Sequence, residues 1–310
     1  MDGQKFPSRL LFVIIILPAL LLAGLASAAE LPMIDAHSQV DHKVKLGKVI
    51  QLMDRAGVSR TILSTRGRIK PGKLVKFARK FPDRITPSVR TKGQPYEKNH
   101  PKYYKLLNAQ LNMPEFGAMA EVILWHAKKG DKAPKRVVPI ASEQVQAALQ
   151  AALERKWPFI PHIEFAAAGS EKARLMAGLE TLLAKHPGHP FLLIHMGQLQ
   201  AEEAARLIER HPNLHFITSH SNPVVIASSN QPWVNLFQGE SLHPKWKALM
   251  VRRPRRFVLG FDNVWAEHWG EFYFRQVALW RKALGELPPD AAHAIAHGNA
   301  ERLWSLPPAR

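Results

Sequence analysis

LPMIDAHSQVDH, Leu31 to His42, opens with the apolar pair Met33 and Ile34, passes Asp35, and sets His37 and Gln39 two residues apart before a helix-like segment. On a β-strand alternate side chains share a face, so His37 and Gln39 project together from the strand's carboxyl end. In a parallel α/β barrel that end carries the chemistry.

Outward from this stretch the same alternation recurs. Val44 to Gly57 is spaced as a helix that Gly57 ends, and Thr61 to Ser64 is a buried strand emptying into the basic loop Thr65 to Arg68. Further strands are predicted at Ile85 to Val89, Gly117 to Trp125, Phe159 to Phe165, Phe191 to His195, Leu214 to Thr218 and Arg256 to Gly260. Between them the spacing predicts helices, among them Ser142 to Trp157 with Ser142 as N-cap, Ser170 to His186, Gln200 to Arg210 and Phe272 to Leu284. Eight strands alternating with helices predict an α/β fold, a closed (β/α)8 TIM barrel. An open doubly wound sheet is the rival, but no Gly-rich phosphate loop follows the first strand.

Of the 310 residues, 46% are hydrophobic and 22% charged, enough apolar content for one large core. Lys5 and Arg9 precede the apolar run Leu10 to Leu25, and Ala26-Ser27-Ala28 supplies a small-residue cleavage pattern. Residues 1–28 therefore read as a signal peptide and 29–310 as a single barrel domain, periplasmic or secreted, with an uncleaved anchor as the alternative. The absence of cysteine excludes a disulfide framework and any thiolate metal site. The formal net charge of +18 is spread along the chain with no recognition motif, which speaks for a solvated basic surface that attracts anionic substrates. The expected partners are a small-molecule substrate and, in a homo-oligomer, further copies of the chain. No nucleic acid is expected, and membrane contact only through the signal segment.

Polar residues gather at the expected strand ends: His37 and Gln39, Arg66, Arg90, Glu121 and His126, His162, His195, His220, and Asp262. Neutral imidazole and carboxylate are the usual ligands of zinc and its neighbours, so histidines on strands one, five and six together with Asp262 outline a metal site. Arg66 and Arg90 can clamp a carboxylate or phosphate at the mouth. Trp125, Trp233, Trp265 and Trp269 fall in or beside loops on the same face, with core packing as the competing role for Trp125. Glu164 is either a second carboxylate orienting His162 or a surface ion-pair partner.

The motifs MIDAHSQ (Met33 to Gln39), FIPHIEF around His162, LLIHMG (Leu192 to Gly197) with HPNL (His211 to Leu214), VLGFDN (Val258 to Asn263) and IAHGNAERLW (Ile295 to Trp304) resemble the amidohydrolase superfamily. Within it they are most similar to the amidohydrolase-2 group of metal-dependent barrel hydrolases and decarboxylases. The resemblance implies metal ligands at His37, Glu121, His162 and Asp262, with Gln39 standing where the family pattern has a second histidine. It also implies that Asp262 takes a proton from the attacking water and that His195 hydrogen-bonds the carbonyl or ligates. Arg66, Arg90 and His220 are assigned to the substrate.

The implied cofactor is a divalent ion, zinc with manganese as the alternative; a neutral amide at Gln39 is a poorer ligand than imidazole, so affinity should fall or preference move toward harder ions such as manganese or magnesium. Three arrangements stay open: one metal without Gln39, Gln39 as a fourth ligand, or loss of metal. The activity implied is hydrolysis of a small anionic amide or lactone by a metal-activated water. The alternatives are a non-oxidative decarboxylase and a non-catalytic ligand-binding barrel.

Overall fold

The computed structural model describes residues 1–3 and 31–309; the expected signal segment, residues 4–30, lies outside them. From Leu31 onward the chain is one compact unit. No helix among the described residues is long and apolar enough to cross a membrane.

Strands Ile34–Val40, Arg60–Thr65, Ile85–Val89 and Ala118–Met119 lie side by side in parallel. Val122–His126 runs parallel to Pro161–Ile163, and Phe191–Leu193, Leu214–Ile217 and Phe257–Val258 form a third parallel set. A bridge between Phe159 and Phe191 joins the fifth position to the sixth. Ala36 N donates to Leu259 O (3.0 Å) and Asp262 N to His37 O (2.7 Å), which ties the eighth position to the first. The chain is thus an α/β barrel of eight parallel positions with helices outside, as in other (β/α)8 folds.

Three strand expectations change in detail, and each change places a polar residue. The fourth strand is split: Ala120 N still bonds Val89 O, whereas Val122 N bonds Ile160 O, so the chain exchanges neighbours at Glu121. The sixth strand stops at Leu193, because His195 to Gln198 turn through left-handed backbone, with φ of 56° at His195. The eighth is only Phe257–Val258, and Asp262 (φ 50°), like His220 (φ 57°), sits in the left-handed region beyond its strand. Non-glycine residues adopt that region at a cost of about 1–3 kcal/mol, and such strain concentrates at functional positions.

Ser142 does precede helix Glu143–Arg155, but its hydroxyl donates to Pro139 O and makes no cap hydrogen bond. The Lys- and Pro-rich stretch 128–139 is expected to be solvent exposed by its charge. Most of the stretch is exposed, as that charge predicts; within it Arg136–Val137 pairs with Val122–His126, and the Lys129 side chain is turned inward onto Glu164.

Within the strands the barrel interior is apolar. Ile34, Ile62, Ile160, Leu192, Ile217 and Val258 cluster with Leu303 and Trp304 of the closing helix Asn299–Trp304. Gly260 has no side chain for a spatial reason: a Cβ there would lie 2.6 Å from Ile217 Cγ2 and 3.5 Å from His37 N. The seventh, eighth and first positions come close enough to share a site because of it.

Candidate metal centre

The first strand positions the site by two devices. Its register shifts between Asp35 and Ser38, a bulge-type irregularity that resets the side-chain alternation after Ile34 and Ala36. Asp35, fully buried, accepts hydrogen bonds from Phe261 N (2.9 Å), His37 N (3.3 Å) and the Ser38 hydroxyl, and Ser38 Oγ accepts from Asn263 N (3.0 Å). Burial raises the Asp35 carboxyl to about 7 against the lowering effect of those hydrogen bonds. This clamp sets Asp262 against His37. Sequence reasoning gave Asp35 and Ser38 no role.

At the centre stand two buried carboxylates, Glu121 and Asp262, and each turns its two oxygens to different company. Glu121 Oε1 and Asp262 Oδ1 face the first strand. Gln39 Nε2 donates to both, at 3.1 and 3.0 Å, and the Lys92 ammonium also rests on Glu121 Oε1. His37 Nε2 lies 3.7 Å from the first oxygen and 3.4 Å from the second. Glu121 Oε2 instead meets His162 Nδ1. Asp262 Oδ2 is 3.6 Å from His195 Nε2 and 3.5 Å from His220 Nε2. Those two rings stack in parallel, 4.3 Å apart, with Trp233 against both.

Charge follows from these contacts. Burial alone raises Glu121, and the charges of Lys92 and His162 more than reverse it, holding it well below the ordinary carboxylate range. Burial pulls His162 down, but Glu121 on Nδ1 and Glu164 on Nε2 (3.0 Å) raise it to about 9. Burial first, then neighbouring positive charge, pushes His195 well below its usual range. Burial likewise lowers His220, against the pull of Asp262. Both are therefore neutral imidazoles, the form that ligates or accepts a proton. Ser219 Oγ, 2.9 Å from His195 Nδ1, leaves Nε2 of that ring facing Asp262.

The centre opens on a cavity of about 250 Å³ with a basic rim. Arg66 lies 3.7 Å over the Trp265 ring and donates to Val264 O (3.3 Å). Arg90 donates to Gly67 O (3.0 Å) and Lys92 O (3.2 Å). Lys129 reaches in from the fourth loop, pairing with Glu164 Oε1 (2.6 Å) and Gln231 Oε1 (2.8 Å) under Trp233.

Every residue assigned from sequence is found here: His37, Gln39, Glu121, His162, His195, His220 and Asp262 around the carboxylates, Arg66 and Arg90 on the rim. Of the four tryptophans, Trp233 and Trp265 line the cavity. Trp125 and Trp269 are buried, their indole N–H groups donating to Glu171 Oε1 and Gln39 O. Glu164 is buried and bonded to His162, not a surface pair. Lys92 and Lys129 were missed, because a lysine in a charged loop carries no sequence signal that separates it from solvated neighbours.

The donor set fits a divalent cation. His37, Glu121 and Asp262 bring one ligand atom each within 4.8 Å of one another, as do Glu121, His162 and His195, and His195, His220 and Asp262. Both ring nitrogens of His220 are buried without a hydrogen-bond partner, a state that normally costs about 1–3 kcal/mol per group unless something outside the protein satisfies it.

Comparison with known proteins agrees with this architecture. Among solved structures the chain is similar to an uncharacterised TIM-barrel protein from Bordetella bronchiseptica, with a TM-score of 0.58 and 14% identity over 89% of this chain and 99% of that one. It is similar to 2,6-dihydroxybenzoate decarboxylase from Rhizobium, with a TM-score of 0.56 and 15% identity over 89% and 98% of the two chains. A probable 2-pyrone-4,6-dicarboxylic acid hydrolase from Acinetobacter baumannii gives 0.52 and 12% over 88% and 99%. At such identities the likeness is one of fold. No curated protein matches the sequence. A model of the amidohydrolase family matches residues 124–306, more than half of the sequence and with His162, His195, His220 and Asp262 inside the match, and the chain belongs to that family.

Proposed function

We propose that the protein is a metal-dependent hydrolase of a small anionic amide or lactone. One observation carries the reading: imidazoles and carboxylates from the ends of the fourth, fifth, sixth, seventh and eighth strands line one cavity under an arginine rim, with His37 of the first strand against the same two carboxylates. The residues that would hold a divalent cation are drawn from His37, Glu121, His162, His220 and Asp262. Such an ion supplies Lewis acidity, acidifying water and polarising a carbonyl oxygen. Asp262, fixed by the Asp35 clamp, accepts the water's proton and returns it to the leaving group. His195, held through Ser219, presents Nε2 to the substrate oxygen. Arg66, stiffened by stacking on Trp265, and Arg90 bind the anionic group and orient the scissile bond toward Asp262.

The test is turnover of small carboxylated amides and lactones by protein purified without chelator. Activity abolished by chelator and restored by zinc or manganese supports the reading. Turnover indifferent to chelator sinks it, and ligand binding without any turnover would favour a non-catalytic barrel. A non-oxidative decarboxylase is the second reading, favoured by the same arginine pair, which would clamp one carboxylate of an aromatic acid while the stacked neutral imidazoles face the ring. Release of carbon dioxide without uptake of oxygen from water separates it from hydrolysis.

A further inference from the structure

The strands have two ends, and the site described above uses only the carboxyl one. At the amino end, Arg252, Arg253, Pro254, Arg255 and Arg256 form the turn that feeds the eighth strand, Phe257–Val258. The backbone of this turn is pinned. Asn299 Nδ2 donates to Pro254 O (2.9 Å) and Phe257 O (2.8 Å), and the Arg256 guanidinium donates to Pro212 O ahead of the seventh strand. Arg252, Arg253 and Arg255 are exposed, and so is Arg302 of the closing helix, which donates to Arg255 O (3.3 Å).

The cluster carries its charge without compensation. Among the described residues no carboxylate lies within ion-pair distance of these five arginines. Burial first, then Arg253 and Arg255, lowers the Arg256 guanidinium, and burial followed by Arg255 and Arg256 does the same at Arg302. Like charges held together by a fixed backbone repel one another, and a surface rich in anions relieves them. Val251, next to the arginine turn, is 41% exposed, one of three large hydrophobic residues so placed among those described. Basic residues around an exposed apolar side chain suit the headgroup region of a bilayer, where the charges meet anionic lipid and the apolar group reaches the acyl boundary. A nucleic-acid backbone would satisfy the arginines and leave the valine without a partner.

The course of the chain points to the same partner. Leu31 lies just ahead of the first strand, Ile34–Val40, and that strand adjoins the eighth position through Ala36 N and Leu259 O (3.0 Å). The chain therefore enters the barrel at its amino face, the face of the arginine turn. Upstream, only residues 26–30 separate Leu31 from the apolar run Leu10 to Leu25. Fully extended, that connection spans about 17 Å, so a bilayer that holds the run is within reach of the amino face.

We propose that the amino face of the barrel docks on an anionic phospholipid surface through Arg252, Arg253, Arg255 and Arg302, with Val251 entering the headgroup layer. Membrane contact then extends from the apolar N-terminal run to the folded domain. The cavity, at the opposite ends of the strands, faces away from the lipid and stays open to soluble substrates.

The chain has no cysteine, so Val251→Cys carries a single fluorophore. The full chain is incorporated into vesicles of phosphatidylcholine, alone or with about 30 mol% phosphatidylglycerol, both containing a quencher attached to a lipid headgroup. A label at Glu267→Cys reports the opposite end, since Glu267 is exposed and pairs with Lys132 at the cavity mouth (3.5 Å). Quenching at position 251 is expected to be at least about threefold stronger with phosphatidylglycerol and to be lost in about 0.5 M salt, with position 267 unquenched in either vesicle. Each arginine near such a surface contributes roughly fivefold, so the triple variant Arg252→Ser, Arg253→Ser, Arg255→Ser should shift the docked-to-undocked ratio by roughly a hundredfold. A thermal melt establishes that this variant is folded, and the salt reversal, read without it, is independent of that check. Equal quenching on the two vesicles, quenching that survives in the folded triple variant, or stronger quenching at 267 than at 251 would overturn the proposal. So would a label that responds to a single-stranded oligonucleotide and not to phosphatidylglycerol, which would assign the arginines to nucleic acid.

Discussion

Within the strands, Ile34, Ile62, Leu192, Ile217 and Val258 meet Leu303 and Trp304 in an apolar plug; beyond the strands' carboxyl ends, the same strands deliver His37, His162, His195, His220 and Asp262. The plug resembles any protein core, with stability drawn from area removed from water. The ring above it buries two carboxylates and several imidazoles and tolerates left-handed backbone at His195, His220 and Asp262. One region is arranged for stability and the other sacrifices some of it. Asp35 lies at their junction, since its hydrogen bonds to Phe261 and Ser38 transmit the rigidity of the strands to the turn that holds Asp262.

That contrast can be broken from either end. The largest expected effect is at Asp262: Asp262→Asn should lower turnover by about a thousandfold, about 4 kcal/mol in barrier, while leaving the fold intact. Steady-state kinetics beside a circular-dichroism melt check it, and a loss under about tenfold would remove Asp262 from proton transfer. Trp304→Ala should do the reverse. Opening the plug should cost about 3–5 kcal/mol in urea unfolding with kcat per folded molecule unchanged. A large fall in kcat at full folding would mean that the two regions are coupled.

His215 sharpens the comparison because it is a buried histidine on the seventh strand outside the ring. Burial first, then Arg256 and Arg302, lowers it to about 3. The unfolded chain therefore binds a proton below its ordinary value near 6.5 that the folded chain refuses until about 3, so stability is lost as pH falls through that window. By pH 5 the contribution is about 2 kcal/mol, and His215→Gln should flatten the acid limb of stability against pH by that amount. An unchanged slope would show that His215 takes up its proton in the folded state. The smallest effect belongs to the rim. Arg66→Ala should raise KM for an anionic substrate by roughly tenfold with kcat within a few-fold, the mark of binding shared by ground and transition states. A fall in kcat alone would instead place Arg66 at the reacting atoms.

Much of this was legible in the sequence. The period-two strands, the alternating helices and the polar residue closing each strand are local patterns, and local backbone physics carries them directly from residue order to barrel. His37, His162, His195 and Asp262 were readable because each stands at the end of a short apolar run. Tertiary structure decided what depends on neighbours distant in sequence. The exchange of strand partners at Glu121 fixes the depth of that carboxylate, and the register shift after Asp35 turns His37 and Gln39 toward it. Lys92 and Lys129 are unremarkable loop charges until folding buries them against Glu121 and Glu164. Gln39 shows the division most plainly. Sequence identified it as the residue where a histidine was expected, but whether it offers its oxygen or its nitrogen was settled by two carboxylates 82 and 223 residues away, because a buried amide takes the orientation that satisfies its partners.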